Sequence, residues 1–139
     1  MKILIADELP QDKIQVLREK GYECIVEPDL KAEQIPERIT GIEILVVRST
    51  KVISEVFDKS DSLGLVVRSG AGINTIDCQG AADSGIYVCN VPGTNSIAVA
   101  ELTMGLILAI DRHIPSATAD LKENRWNKKI YSDAGGLFG

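Results

Sequence analysis

Short aliphatic runs alternate with segments of mixed polarity along the first 91 residues of the chain. Nearly continuous runs of Ile, Val and Leu are typical of strands that are covered on both faces. The segments between them carry apolar residues at helical spacing; in 10–21, for example, Ile14 and Leu17 share one side and Gly21 closes the segment. The pattern predicts five strands, at 2–6, 22–26, 42–47, 63–67 and 85–91.

Helices are predicted in the segments between these strands. Alternation of strand and helix favours an α/β fold, with a parallel sheet and helices on both faces. About five strands make a small doubly wound sheet, for which a flavodoxin-like strand order is favoured, with ligands beyond the carboxyl ends of the strands. The predicted helices cover 10–21, 32–40, 54–60 and 78–85.

The segment after Pro92 differs in composition, because residues 97–110 carry only Glu101 and Thr103 as polar side chains. The preceding Thr-Asn-Ser offers good N-cap residues. A 14-residue helix spans about 21 Å, less than the ~30 Å of a bilayer core. A helix that is apolar on every side must be covered, so we expect burial against a second domain or subunit. A buried Glu101 would then need a partner.

A polar helix and an extended arm are predicted from residue 115 onwards. The arm contains Trp126, interpreted as an interface anchor, and Tyr131. We therefore expect two parts, a domain at 1–93 and a helix with a dimerisation arm at 94–139, and a chain that self-associates as a homodimer or homotetramer.

Charge and cysteine content exclude several classes of protein. A net charge of −5 and a pI near 4.9 disfavour binding to nucleic acid or anionic membrane. The short apolar run at the amino terminus is too small for a signal peptide, so a cytoplasmic location is expected. Cys24, Cys78 and Cys89 lack metal-ligand spacing and are expected to be buried thiols, with no metal site.

The sequence VVRSGAGINTID (66–77) poses the question of a dinucleotide site. A dinucleotide fingerprint needs a third glycine, where this chain has Thr75, and an acid about 20 residues later, which is also absent. The N–H groups of the turn at 70–72 could instead hold a carboxylate. The alternative, that the glycines only make a tight turn, stays open. Asp77 is expected to cap the helix that follows.

Arginines end two neighbouring strands of the predicted sheet. Arg48 and Ser49 end the third strand, and Arg68 ends the fourth, which predicts two guanidinium groups at one rim. Arginine binds carboxylate or phosphate through a planar fork, although these side chains could also simply solvate the strand ends. His113, the sole histidine, lies in a polar turn without a ligand motif and is not assigned to catalysis.

Three stretches together resemble the NAD-dependent D-2-hydroxyacid dehydrogenases: VVRSGAGINTID, VPGTNSIAVAELTMGLILA and LKENRWNKKIY. The resemblance covers nearly the whole chain and is greatest to members that oxidise 3-phosphoglycerate, helped by ILVVRSTKV at 44–52. It implies a substrate-binding (lid) domain that closes over a separate Rossmann domain. In the family the cofactor glycines follow a segment like the GLFG at which this chain ends, so we expect the front part of an enzyme. No residue here matches the family's catalytic histidine, its partner glutamate or its later substrate arginine.

The resemblance also implies roles for individual residues. Ala71 and Asn95 would lie close to the nicotinamide of NAD as well as to the substrate, while Asn74 stands where the family commonly has Asp. The long helix and arm would embrace a second subunit and bring Lys128 and Lys129 near its substrate phosphate. The implied substrate-binding set is Arg48, Ser49, Arg68, Gly70, Ala71, Gly72 and Asn95, and the implied interface set is Glu101, Trp126, Lys128 and Lys129.

Two other functions stay open at this point. A free-standing flavodoxin-like receiver or binding module would have an acidic pocket; Asp7 and Glu8 end the first strand, but the third strand ends in Arg48 and Ser49. Another D-2-hydroxyacid enzyme, such as a glyoxylate or hydroxypyruvate reductase, is disfavoured by the basic RSTKV stretch. The reaction implied by the resemblance is hydride transfer from C2 of 3-phosphoglycerate to NAD, in serine biosynthesis.

Overall fold

A computed structural model describes residues 1–137 and contains a parallel five-stranded sheet of order β2-β1-β3-β4-β5. This confirms the α/β class and the flavodoxin-like order predicted from the sequence. The strands are one to three residues shorter than the aliphatic runs, although β4 extends one residue past its run, to Arg68. They are β1 (Lys2–Ile5), β2 (Glu23–Val26), β3 (Ile44–Val47), β4 (Leu65–Arg68) and β5 (Tyr87–Asn90).

The connecting helices lie on both faces of the sheet. Crossovers between parallel strands are right-handed, so helices lie on opposite faces of the sheet when successive strands are added in opposite directions. Here β2 lies on one side of β1, and β3 to β5 follow on the other side. Ile14 of α1 packs with Ile3 and Ile5 in one cluster, whereas the three later helices share a second cluster with Leu45 and Val66. The helices are α1 (Gln11–Glu19), α2 (Ile35–Arg38, preceded by a 3-10 turn at Ala32–Gln34), α3 (Ser54–Lys59) and α4 (Cys78–Asp83).

One face of the sheet is only partly covered. On this face, helix α1 packs against β2, β1 and β3. It does not reach β4 and β5, where Tyr87 is 77% exposed and Cys89 is exposed. The expectation that all three cysteines are buried is therefore wrong for Cys89, because an apolar edge strand has a covering helix on one face only. Cys24 and Cys78 are half-buried.

The chain divides into two compact units, Met1–Thr94 and a second unit that begins at Asn95. The second unit contains α5 (Ser96–Asp111) and α6 (Ile114–Lys122), which match the predicted long helix and polar helix. Within residues 1–137, no helix is long and apolar enough to cross a membrane.

Helix α5 is not buried in this chain, contrary to the expectation for a helix that is apolar on every side. All its residues are exposed or half-exposed, and Glu101 is exposed, so its carboxylate needs no buried partner. The sequence pattern required a cover for this helix, but the described residues of one chain do not provide it.

The arm after α6 contains turns and is not one extended segment. The Asp120 carboxylate accepts hydrogen bonds from Tyr131 Oη (2.5 Å) and from Arg125 Nε (3.1 Å), which fastens the arm to α6. The hydrogen bond from Tyr131, followed by that from Arg125, lowers the pKa of Asp120. The last two residues of the predicted arm, 138 and 139, lie outside the described residues.

Candidate anion-binding site at the carboxyl ends of β3 and β4

Strands β3 and β4 end side by side at one rim of the sheet. They are parallel neighbours, and Val47 pairs in register with Arg68. Arg48, the next residue after β3, therefore lies at the same rim as Arg68. The Arg48 and Ser49 side chains are exposed there, and Arg68 is half-buried.

The Arg68 guanidinium is hydrogen-bonded to the glycine turn, residues 70–72, and to Thr75 beyond it. Its Nε donates to Thr75 Oγ1 (3.1 Å) and its Nη1 donates to the carbonyl oxygen of Gly72 (2.8 Å). A Cβ atom built at Gly70 would lie 3.1 Å from Arg68 Nη1, and one at Gly72 would lie 3.2 Å from the same atom. A side chain at either position would require the guanidinium to shift by a few tenths of an ångström, and neither glycine has a positive φ.

The carbonyl groups of Gly70 and Ala71 accept hydrogen bonds from the end of β5 and the residue after it, whereas two N–H groups of the turn remain free. Asn90 Nδ2 donates to the Ala71 carbonyl oxygen (2.7 Å), and Val91 N donates to that of Gly70 (3.0 Å). Within residues 1–137, the backbone N–H groups of Ala71 and Gly72 have no hydrogen-bond partner, and both residues are exposed. Two free N–H groups beside two arginines can bind a carboxylate or phosphate oxygen.

A second turn at this rim already contains a carboxylate. One oxygen of Asp7, Oδ2, accepts from the backbone N–H groups of Arg48 (2.7 Å), Ser49 (3.1 Å) and Thr50 (3.0 Å). Burial acts to raise the pKa of Asp7, but these hydrogen bonds outweigh it and the pKa lies below its ordinary value. Sequence reasoning used Asp7 only to argue about a receiver-like pocket and missed this contact. The available signal was an acid two residues after β1, at the point where the strand order reverses.

The two predicted helix caps behave differently. The Asp77 side chain accepts from the Gly80 N–H (3.0 Å), so its predicted capping of α4 is confirmed. Asn95 occupies the N-cap position of α5, but its side chain makes no capping hydrogen bond. Asn95 belongs to the second unit, and its role towards substrate and cofactor stays a prediction.

The predicted interface residues are exposed in the second unit. Trp126 is 79% exposed, and Lys128 and Lys129 are exposed as well. Trp126 lines an open cleft of about 330 Å³ together with Leu121 and Lys128. All the residues that line this cleft belong to the second unit.

The described residues do not fit the phosphates of a dinucleotide. The third glycine position is Thr75, whose hydroxyl is engaged by Arg68. His113 is also engaged locally, since its Nε2 lies 3.1 Å from the carbonyl oxygen of Asp133. It occupies the N-cap position of α6 with a left-handed φ of 53°. The role of Ala71 towards the nicotinamide stays a prediction.

Comparison with known proteins gives the same class as the fold. Residues 3–132 match the family model of the D-isomer specific 2-hydroxyacid dehydrogenase catalytic domain. The chain is 46% identical over 132 residues to D-3-phosphoglycerate dehydrogenase from Methanocaldococcus jannaschii, covering 94% of this chain and 25% of that protein. It is 38% identical over 129 residues to hydroxypyruvate reductase from Thermotoga maritima, covering 92% of this chain and 42% of that protein.

A solved structure supports this relationship. The cofactor (NAD+) bound 3-phosphoglycerate dehydrogenase of Entamoeba histolytica is 30% identical, with a TM-score of 0.69 over 81% of this chain and 39% of that chain. The chain therefore belongs to the D-isomer specific 2-hydroxyacid dehydrogenases. It spans about a quarter of the length of the phosphoglycerate dehydrogenase relatives that it matches.

Proposed function

We propose that this chain is the substrate-binding part of an NAD-dependent dehydrogenase that oxidises 3-phosphoglycerate. The observation that carries the proposal is the pair of free N–H groups at Ala71 and Gly72, on the same rim as Arg48 and Arg68. The similarity to D-3-phosphoglycerate dehydrogenases supports this choice of substrate.

Each group at the rim has a distinct part in substrate binding. The N–H groups of Ala71 and Gly72 donate hydrogen bonds to the substrate carboxylate. The exposed side chains of Arg48 and Ser49 contact its remaining oxygens, because a guanidinium suits both carboxylate and phosphate. Arg68 acts mainly by holding the turn in shape, since its Nε and Nη1 are already engaged.

The two parts of the chain have different tasks in this proposal. Residues 1–93 form the substrate-binding domain, and residues 94–139 form the interdomain helix and dimerisation arm. NAD would supply the hydride acceptor for C2 of the substrate, and by the family resemblance Ala71 and Asn95 would each contribute to holding its nicotinamide. The whole enzyme would act in the cytoplasm, in serine biosynthesis.

The 139-residue chain by itself is expected to bind substrate without oxidising it. Hydride transfer needs a held cofactor and a positioned base. The chain lacks a dinucleotide fingerprint, and its one histidine is engaged elsewhere. NADH absorbance with purified chain and 3-phosphoglycerate should stay at background, and turnover that is lost in His113→Ala would overturn this view.

The experiment that tests the site is an NMR titration of the chain with 3-phosphoglycerate. The amide signals of Ala71 and Gly72 should shift, with a dissociation constant in the millimolar range, because ionic contacts on an open rim are screened by water. Arg48→Ala should weaken the binding, whereas Arg18→Ala, which removes an exposed arginine of α1, should not. Equal effects of the two substitutions would contradict the proposed role of Arg48.

A second substrate class is favoured by one relative, the hydroxypyruvate reductase, and by the internal engagement of Arg68. In that case the site would recognise a 2-hydroxy acid without using a phosphate. D-glycerate, which lacks the phosphate, separates the two candidates. Binding at least tenfold weaker than that of 3-phosphoglycerate supports the phosphorylated substrate, and equal binding supports the alternative.

The second unit is proposed to mediate self-association through α5 and the arm, with Trp126, Glu101, Lys128 and Lys129 in the interface. Support comes from the exposed aliphatic side chains of α5, more than a lone soluble chain normally leaves uncovered. Light scattering at tens of micromolar should show a dimer or tetramer, and Leu102→Glu should shift it towards monomer. Val16→Glu, a similar change at an exposed position of α1, should leave the assembly intact. A well-folded wild-type monomer would overturn the proposal.

A further inference from the structure

Two turns at the rim of the sheet present clusters of backbone N–H groups. The turn after β3 presents those of Arg48, Ser49 and Thr50, and the turn after β4 presents those of Ala71 and Gly72. Converging N–H groups form anion-binding concavities, and the strength of such contacts rises when the acceptor is charged. A substrate with a carboxylate at one end and a phosphate at the other could bind either turn.

The first of these turns is the one that general fold rules favour for a ligand. It lies between β1 and β3, where the strand order reverses, and doubly wound sheets bind ligands at such a point. Here, however, all three of its N–H groups donate to Oδ2 of Asp7, at 2.7, 3.1 and 3.0 Å. A protein carboxylate thus occupies the place that a ligand anion would take.

The same carboxylate fixes the shape of the turn. Thr50 Oγ1 also donates to the carbonyl oxygen of Ala6 (3.4 Å), and Ala6 N donates to that of Val46 (3.0 Å). The turn is therefore tied to Ala6, the residue before Asp7, as well as to Asp7 itself, while the side chains of Arg48 and Ser49 remain exposed. Burial acts to raise the pKa of Asp7, but the hydrogen bonds from this turn outweigh it and lower the pKa, because they favour the charged carboxylate.

We propose that Asp7 is a positioning residue that determines where an anionic substrate binds. By filling the turn after β3, it leaves the Ala71 and Gly72 N–H groups as the free anion site, and it holds the Arg48 and Ser49 side chains beside that site. This inference rests on the proposed function for the identity of the substrate, although the filling of the turn can be tested without it.

The test compares the wild-type chain with Asp7→Ala, Asp7→Asn and a matched control, Glu8→Ala, which removes the neighbouring exposed carboxylate. Amide NMR spectra of the 139-residue chain are recorded with sodium formate and with 3-phosphoglycerate. In the wild type, formate should leave the amides of residues 48–50 unchanged. In Asp7→Ala these amides should lose their downfield shifts, and formate in the tens of millimolar, the scale of a weak anion contact, should restore them.

The substrate arm measures the redirection of binding. In the wild type, 3-phosphoglycerate should shift the amides of 71 and 72 and leave 48–50 in place. In Asp7→Ala it should shift both sets. Binding at 71 and 72 should weaken by about tenfold, because the turn no longer holds the Arg48 side chain beside that site and its charge-assisted contact with the substrate is lost. Glu8→Ala should behave as the wild type, and Asp7→Asn should be intermediate because its side-chain oxygen still accepts hydrogen bonds but is neutral.

The failures of the two proposals are distinguishable. If the wild type shows no shift at 71 and 72 with 3-phosphoglycerate, the proposed function fails, but the formate experiment on Asp7→Ala still reports on the turn. If formate leaves residues 48–50 of Asp7→Ala unchanged, Asp7 has only a structural role and the inference is overturned. Should Asp7→Ala not fold, the nearly isosteric Asp7→Asn decides: an unchanged pattern of 3-phosphoglycerate shifts would overturn the inference.

Discussion

The two units of the chain are both rich in aliphatic residues, but they place those residues differently. In Met1–Thr94 the aliphatic side chains of the strands and helices form two clusters around the sheet, and Leu45 is fully buried. In the second unit, none of the described residues is buried, and Leu106 of α5 is 53% exposed.

This difference shows that apolar content and core formation are separate properties. A sheet has two faces and the helices that cross them supply the cover, so the first unit buries its apolar residues within itself. A single helix that is apolar all round has no such partner within the unit. Binding function follows the same division, since the candidate anion site lies in the self-sufficient unit and the candidate interface lies in the other.

The largest expected effect contrasts one leucine from each unit. Leu45→Ala should lower the free energy of unfolding of the first unit by about 2–5 kcal/mol, because it leaves a cavity in a packed core. At protein concentrations low enough for the chain to be monomeric, Leu106→Ala should change the free energy of unfolding of the second unit by less than about 0.5 kcal/mol, since the side chain is already exposed. Urea denaturation followed by circular dichroism measures both.

The contrast between Leu45 and Leu106 fails if Leu106→Ala clearly lowers the free energy of unfolding. A cost that grows with protein concentration would mean that a second copy covers α5, in agreement with the proposed self-association. A cost that does not depend on concentration would contradict the placement of Leu106 on an exposed surface.

A smaller effect is expected at the two helix caps. Asp77→Ala removes a side chain that accepts from the Gly80 N–H, and should destabilise the first unit by about 1 kcal/mol. Asn95→Ala removes a side chain that makes no capping hydrogen bond, and should cost only a few tenths of a kcal/mol at most. Thermal unfolding of both variants, at one protein concentration, checks the contrast; equal losses would show that the caps do not differ.

The smallest effect concerns acid pH. The pKa of Asp7 is lower in the folded chain than its ordinary value of 3.8, so this carboxylate stabilises the fold above 3.8 and the stabilisation is lost as pH falls through the folded pKa. The urea midpoint of the wild type should therefore fall between about pH 5 and about pH 2 by more than that of Asp7→Asn. Glu8→Gln should follow the wild type, and identical slopes for wild type and Asp7→Asn would contradict the prediction.

The outline of the site could be predicted from the sequence, but its internal hydrogen bonds could not. Strand ends are visible as aliphatic runs that stop at Arg48 and Arg68, and parallel neighbours bring such ends to one rim. The direction of a guanidinium depends on nearby acceptors, so the engagement of Arg68 by Gly72 and Thr75 required coordinates. The contact between Asp7 and the turn after β3 joins residues 41 to 43 positions apart and has no local pattern.

The sequence by itself determined the class of fold, the order of its elements and the family. These follow from local periodicity and from motifs in which each residue is read with its near neighbours, as in VVRSGAGINTID. Only the tertiary structure decided which apolar residues are covered and which N–H groups stay free. Exposure of α5 and Cys89, and the filling of one of two neighbouring turns by Asp7, depend on contacts between distant parts of the chain, which local sequence preferences do not specify.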